Sequence, residues 1–273
     1  MRLLDKILGK SSVPTAPNLS VCRLCGALAA SPIGAVAPTQ QGNFHTQDFT
    51  LQHCAHCDVV YLDPLPTPAD LKLLYEESEQ FDGEHYTAPD QVEKILEFYR
   101  TAMRSLKLAP RSGGKVLEIG AGLAWVSRAC KADDASTETV AQDVSAECMG
   151  RCPWVDRYFV GPLDALPEQG PFALISLTHV IEHLAHPAAM LARIAGLLAP
   201  GGKAFITAPF RPTGWKVQQG IAPWRTYSYL HVPAHITYFS RRWFNEHASG
   251  LQIAHWDDSH ESGQAFTVVL RKA

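Results

Sequence analysis

Residues 116–124 read VLEIGAGLA. Val116, Leu117 and Ile119 make an apolar run that Glu118 interrupts near its end, and KVLEIG (115–120) reads as a buried strand. Gly120 and Gly122 let the backbone turn sharply and come close to a ligand where a Cβ would clash. Ala124 stands where a third small residue would open the next helix, LAWVSRACKA (123–132), whose first N–H groups have no partner within the helix. Turns of this kind can cradle a phosphate, but Glu118 would repel an anion and suits a ligand carrying an amino group. The next strand, TETVAQD (137–143), ends on Asp143, 21 residues beyond Gly122, where an acid can accept hydrogen bonds from ribose hydroxyls.

Strands and helices keep alternating outward from this turn. ALISLTH (173–179) reads as a third strand, PAAMLARIAGLL (187–198) as a helix, APGG (199–202) as a turn and KAFITAP (203–209) as a further strand. That order implies an α/β fold of Rossmann type, a parallel sheet with helices on both faces. GQAFTVVLRK (263–272) alternates and suits a late edge strand. The stretch 210–233 is rich in aromatics, with Trp215, Trp224, Tyr227 and Tyr229. It reads either as a lid over a substrate or as a surface excursion with a small core of its own.

VLEIGAGLA, VAQDVS, and ALISLTHVIEHL followed by LLAPGGKAFITAP resemble the class I S-adenosylmethionine methyltransferase family over about residues 110–209. The resemblance implies a seven-stranded sheet with an antiparallel final hairpin. It implies Glu118, Gly120, Ala121 and Gly122 at the methionine end of the cofactor and Asp143 on the ribose. Asp164 and Ala165, in GPLDALP, would meet the adenine, and Val144 and Thr178 join the cofactor-contacting positions. Tyr86, in GEHYTAPD, would lie near cofactor or acceptor, the alternative being a core tyrosine of the helices before the sheet. An NAD enzyme is the competing reading, against which stand Glu118 and the missing third glycine.

Cys22-Arg-Leu-Cys25 and Cys54-Ala-His-Cys57 are two CxxC knuckles separated by 28 residues. Each knuckle puts two thiolates on one side of a tight bend, and two knuckles complete a tetrahedron around structural zinc. A pair of redox motifs and unpaired structural cysteines are the alternatives. His45, His53 and His56 read as solvated neighbours, and Cys130, Cys148 and Cys152 as ordinary residues. The layout CRLCG…HCAHCDVVYLDPLPTPADLKLLYEES resembles ribbons at the N-terminus of bacterial methyltransferases of sugar and polysaccharide pathways. In that family the ribbon is structural and helps to wall the substrate cleft. The expected division is a helix and linker (1–20), a zinc-binding ribbon (21–68), a helical connector (69–109) and a methyltransferase domain (110–273) with an insertion at about 210–233.

After the third strand comes Thr178-His179-Val180-Ile181-Glu182-His183, at the strand end where ligands bind in open α/β sheets. In a helix, His179, Glu182 and His183 would share a face, and His235 in AHITYFS can return beside them. Three readings stay open. The cluster packs and caps the pocket edge. Alternatively a histidine, His183 before His179 and His235, is the general base toward a substrate hydroxyl. Or His179, Glu182, His183 and His235 hold a divalent metal. This pattern is similar to the Glu-x-x-Glu-His…His set of magnesium-dependent methyltransferases acting on the 2′-hydroxyl of small RNA ends. His179 in place of the first Glu favours a softer ion.

The 273 residues are 46% hydrophobic and 19% charged, enough for one α/β domain and a small appendage. A net charge of −3 and the lack of a long basic run argue against a nucleic-acid partner. No apolar run reaches the ~18 residues that span a bilayer. MRLLDKILGK, with Asp5 and Lys6 inside its apolar pattern, does not read as a signal peptide. The expected location is the cytoplasm, where seven cysteines point to metal or free thiols before disulfides. Three functions compete: methylation of a hydroxyl on a sugar, glycan or secondary metabolite; 2′-O-type RNA methylation with a metal at the His-Glu-His cluster; and a cofactor-binding module without catalysis.

Overall fold

The computed structural model describes residues 19–39, 44–74, 88–167, 170–259 and 265–273. The expected N-terminal helix and Tyr86 lie outside the described residues. In chain order come β1 (Ser20–Val21), β2 (Leu28–Val36), β3 (Phe49–Cys54), β4 (Val60–Asp63), α1 (Pro68–Lys72) and α2 (Pro89–Ser105). There follow β5 (Lys115–Ile119), α3 (Trp125–Asp133), β6 (Glu138–Asp143), β7 (Arg157–Val160), β8 (Phe172–Thr178) and α4 (Pro187–Leu197). The last elements are β9 (Leu198–Pro209), β10 (Thr237–Tyr238), α5 (Arg241–His247), β11 (Gln252–Asp257) and β12 (Ala265–Arg271). No helix among the described residues is long and apolar enough to cross a membrane.

The larger sheet has seven strands in the order β11-β12-β9-β8-β5-β6-β7. From β7 to β9 the pairing is parallel, whereas β12 runs antiparallel to β9 and β11, giving the final hairpin. Residues 116–119 of β5 are all buried, as a central strand covered on both faces requires. The chain runs from β5 outward to β6 and β7, then crosses back to β8 on the other side of β5. The carboxyl ends of β5 and β8 therefore flank a topological switch point, where a crevice opens.

Two local expectations are corrected. The turn APGG lies inside β9, where Leu198 pairs with Phe172 and the register then jumps to Lys203 opposite Leu174, with Gly201 at φ +73°. The alternating strand 265–271 is not the edge: β12 is paired on both sides, and β11 takes the edge with a partly exposed sequence, QIAHWD.

Where β5 turns into α3, the residue before the helix, Ala124, offers no side-chain cap. Glu118 supplies it from inside the strand, accepting from the Val126 N–H (3.1 Å), the Ser127 N–H (2.8 Å) and the Ser127 hydroxyl (2.8 Å). Burial pushes the Glu118 carboxyl up to about 7, and these three donors oppose that rise.

The second sheet, β1-β2-β3-β4-β10, is closed by a strand that comes from the far part of the chain. Thr237 pairs with Tyr61 and Tyr238 with Val60. The cysteine-bearing segment is thus completed in space by residues beyond its expected boundary at 68. On this sheet Phe49, Leu51, Val60 and Leu62 pack against Trp215, Trp224, Tyr227, Ile236 and Tyr238. Trp224 is fully buried, with Trp215, Tyr227 and Tyr238 edge-on at 5.6, 5.7 and 4.7 Å. The aromatic stretch 210–233 therefore has a core that it shares with the small sheet. Side chains fasten the cysteine-bearing segment to the later chain: Arg23 donates to the Ile236 carbonyl (2.7 Å), Trp243 Nε1 to the Leu24 carbonyl (3.2 Å), and Arg211 to both Asp58 oxygens (3.0 Å each).

Trp243→Ala, which empties a fully buried site between α5 and the first cysteine knuckle, is expected to lower stability by about 3–5 kcal/mol in urea unfolding. Glu118→Gln tests the buried cap. The folded pKa of about 7 lies above the ordinary 4.5. The stability linked to this group is complete below pH 4.5 and is lost as pH rises through 7. Unfolding midpoints between pH 4.5 and 8 are expected to show this decline in the wild type and not in the variant.

Candidate active site

The glycine turn after β5 is tied to the end of β6. Gly120 takes φ +60° and a Cβ there would fall 2.4 Å from a Val180 methyl, so only glycine lets this turn approach the loop after β8. Gly122, at φ +47°, donates its N–H to Asp143 Oδ2 (2.8 Å), while Asp143 Oδ1 accepts from Ser145 N–H (3.0 Å). Ala121 N–H donates to the Gln142 carbonyl (3.0 Å). Asp143 is half-buried and Val144 beside it is exposed. Thr178 ends β8 half-buried, and Asp164 and Ala165 sit exposed on a 3-10 turn after β7. Gly120, Ala121, Gly122, Asp143, Val144 and Thr178 thus meet at the carboxyl ends of three adjacent strands.

Glu118 does not join them. It is 1% exposed and its oxygens are taken by the start of α3, so it holds the turn in place rather than meeting a ligand's amino group. A contributor that sequence reading missed is Tyr158, whose hydroxyl donates to the Gly122 carbonyl (3.0 Å) from β7. Nothing in RYFV marks it out, because the contact depends on the pairing of β6 with β7.

Residues 179–183 are not an α-helix. His179 takes a left-handed backbone, φ +56°, and Ile181–His183 form a 3-10 turn. Glu182 at the centre is fully buried. His179 Nδ1 stands 3.5 Å and His183 Nε2 3.8 Å from Glu182 Oε1. His235 arrives from the far side, its ring 4.9 Å from that of His183. Glu182, His183 and His235 each offer one ligand atom within 4.8 Å of the others. His179 is outside that group, with its side chain 44% exposed and its ring stacked on Tyr229 at 6.1 Å. Burial raises the Glu182 carboxyl, and the imidazoles around it outweigh burial and hold it below its ordinary value. Burial brings His235 down to about 4, so its ring is neutral.

His231 and Tyr229 are further residues that sequence reading did not assign to the site. His231 stacks on His235 at 4.6 Å, and Tyr229 stacks on His235 at 6.4 Å. The spacing of His231 and His235 in LHVPAH was visible, but His231 was absorbed into the aromatic stretch. Beyond His231 opens a cavity of about 430 Å³, lined also by Thr39, Arg225, Thr226 and Ser228.

The four knuckle cysteines come together as expected. Cys22 and Cys57 Sγ are 3.9 Å apart and Cys25 and Cys54 Sγ 3.7 Å, with no disulfide between them. Zinc–sulfur bonds of ~2.3 Å in a tetrahedron put sulfurs ~3.8 Å apart, so this geometry fits zinc. His53 is not solvated: it is buried, bonds Asp58 through Nε2 (2.9 Å) and packs edge-on against Trp215. Cys130, Cys148 and Cys152 are buried, and burial pushes their thiols up to about 12, 11 and 12.

Among solved structures, a chain of the Haloferax volcanii complex containing the Trm112 methyltransferase activator is 17% identical, with 71% of this chain and 99% of that chain covered and a TM-score of 0.51. The Burkholderia thailandensis 1,6-didemethyltoxoflavin-N1-methyltransferase, with bound S-adenosylhomocysteine, is 16% identical over 80% of this chain and 96% of that one, TM-score 0.51. Coclaurine N-methyltransferase is 10% identical over 68% and 74%, TM-score 0.51. At these identities the likeness is one of fold. Among curated proteins none matches the chain. A family model described as "Methyltransferase domain" matches residues 92–255, from within α2 to within β11. With more than half of its length matched in this way, and with the switch-point crevice of its sheet formed by the matched residues, the chain belongs to the methyltransferase-domain family, of the class I type that uses S-adenosylmethionine.

Proposed function

We propose that the protein methylates a hydroxyl of a sugar, glycan or related small metabolite, with a zinc-filled ribbon walling the acceptor side of the cleft. The observation that carries the reading is the tie between Gly122 and Asp143 at the switch point. S-adenosylmethionine, when bound, supplies an electrophilic methyl group on a sulfonium. The chain's task is to hold that cation, aim an acceptor and receive a proton.

Asp143 keeps lone pairs beyond those bonded to Gly122 and Ser145, and these accept the ribose hydroxyls. Gly120 and Ala121 leave room at the methionine end, Val144 offers an apolar surface next to the ribose, and Asp164 and Ala165 border the adenine. Thr178 and His179 stand on the acceptor side. Proton acceptance falls to His179 and not to His183, because the His179 ring is 44% exposed at the mouth while the His183 ring is 19% exposed. The hydroxyl- and arginine-lined cavity beyond His231 suits a polyhydroxylated acceptor. Cys22, Cys25, Cys54 and Cys57 hold the zinc as thiolates, and a reducing cytoplasm keeps them from pairing as disulfides. The net charge of −3 gives no support to a nucleic-acid acceptor.

Calorimetry with S-adenosylhomocysteine is expected to show binding that Asp143→Ala weakens at least tenfold. Absence of heat with the folded wild type overturns the assignment. With labelled cofactor, methyl is expected in a sugar-containing fraction, and label found only in nucleic acid rejects the acceptor class. On that acceptor, His179→Ala is expected to lower kcat by about 10²–10⁴-fold while KM changes little.

A further inference from the structure

We propose that Glu182, His183 and His235 form a binding site for a divalent transition-metal ion of the zinc class, separate from the cysteine cluster. The argument begins with Glu182. Its side chain is wholly buried, and neither carboxylate oxygen has a hydrogen bond of good geometry among the described residues, the His179 and His183 nitrogens standing 3.5 and 3.8 Å from Oε1. A buried carboxylate in that condition calls for a cation. The backbone fixes it there, since the Glu182 carbonyl accepts from the Ile236 N–H (2.9 Å).

The two histidines present the right atoms. His183 Nδ1 meets the Ala234 carbonyl at 2.9 Å and His235 Nδ1 meets the Tyr229 carbonyl at 2.8 Å. A carbonyl oxygen only accepts, so each Nδ1 carries a hydrogen, and Nε2 is the ring nitrogen left to ligate a metal. His183 Nε2 then stands 3.8 Å from Glu182 Oε1. That distance is too long for a hydrogen bond from a protonated ring, and the facing of two ligand atoms is favourable once a cation lies between them. A histidine that donates its other N–H to a backbone carbonyl is the arrangement that orients imidazole metal ligands.

Donors ~2.0–2.2 Å from one ion lie some 3–4 Å apart, and these ligand atoms are all within 4.8 Å of one another, so small side-chain shifts close the shell. Two imidazoles and a carboxylate favour zinc-like ions over magnesium or calcium. His179, which sequence reading included, is excluded as a ligand: its ring is exposed and lies in the stack on Tyr229. Three protein ligands leave a position for an oxygen, at the carboxyl end of β8. In the methyl-transfer reading, on which only this role rests, that oxygen is the acceptor hydroxyl, whose proton the ion makes easier to remove.

The test uses the full chain, stripped of metal and reloaded with one zinc per four cysteines, then titrated with cobalt(II). Expected is a second, saturable cobalt site whose visible spectrum lacks the thiolate-to-cobalt charge-transfer band. Glu182→Gln is expected to weaken it 10–100-fold, and His179→Ala to leave it unchanged. Magnesium in excess should not displace the cobalt. Elemental analysis of the zinc-saturated wild type should count two ions per chain. A single ion, or a second site indifferent to Glu182→Gln in a variant with wild-type near-ultraviolet dichroism, overturns the proposal. If Glu182→Gln loses that dichroism, the spectrum of the wild-type second site decides alone: a band carrying thiolate character overturns the assignment. S-adenosylhomocysteine calorimetry separates the two readings. Heat without a second ion removes only the metal site, and a second ion without heat removes only the methyl-transfer function.

Discussion

The backbone of Ile236 is the junction on which the rest of the molecule turns. Its N–H is donated to the Glu182 carbonyl, and its own carbonyl receives the Leu62 N–H (3.0 Å) and the Arg23 guanidinium. One residue thereby connects the loop after the central strand β8, the last full strand of the cysteine sheet and the first cysteine knuckle. His235 precedes it and β10 follows it, so the position of an imidazole in the site and the closure of the small sheet are set by the same short segment. Backbone hydrogen bonds in a buried segment leave little freedom for either side to move alone.

This junction also explains how the chain divides. The family match begins within α2 and leaves β1 to β4 outside, yet it includes β10, the strand that completes their sheet. The methyltransferase portion carries in its own sequence the docking edge for the ribbon. Apolar contact reinforces it, because Phe49, Leu51, Val60 and Leu62 are covered by aromatic residues from the stretch 210–233. The cysteine-bearing sheet is thus joined to the later chain by a shared strand edge and a shared core, and is not a bead on a linker.

Elements whose signal is local were legible in the sequence. The apolar run of β5, the two glycines and Asp143 at the end of β6 declare themselves by residue type and spacing, and the paired CxxC knuckles do the same. What failed depends on direction and on distant partners. Glu118 has the right charge and place for a ligand, but its side chain turns back to α3, and spacing holds no information on that choice. His179, Glu182 and His183 come together without the helix that periodicity suggests, because Glu182 is fastened to Ile236, more than fifty residues away in sequence. Tyr158 and the packing of His53 were invisible for the same reason: Tyr158 meets the Gly122 carbonyl only when β7 pairs with β6, and His53 meets Trp215 from far along the chain.

The aromatic foundation under 210–233 has a bearing on how this scaffold could diversify. Trp215, Trp224 and Tyr238 are locked edge to face beneath the surface, while Arg225, Thr226 and Ser228 project at the rim above them. Arg225, Thr226 and Ser228 are exposed, so exchanges there leave the buried aromatic floor in place. One short segment thus holds two layers, a packed aromatic floor and an exposed polar rim, and sequence change in the outer layer leaves the inner one standing.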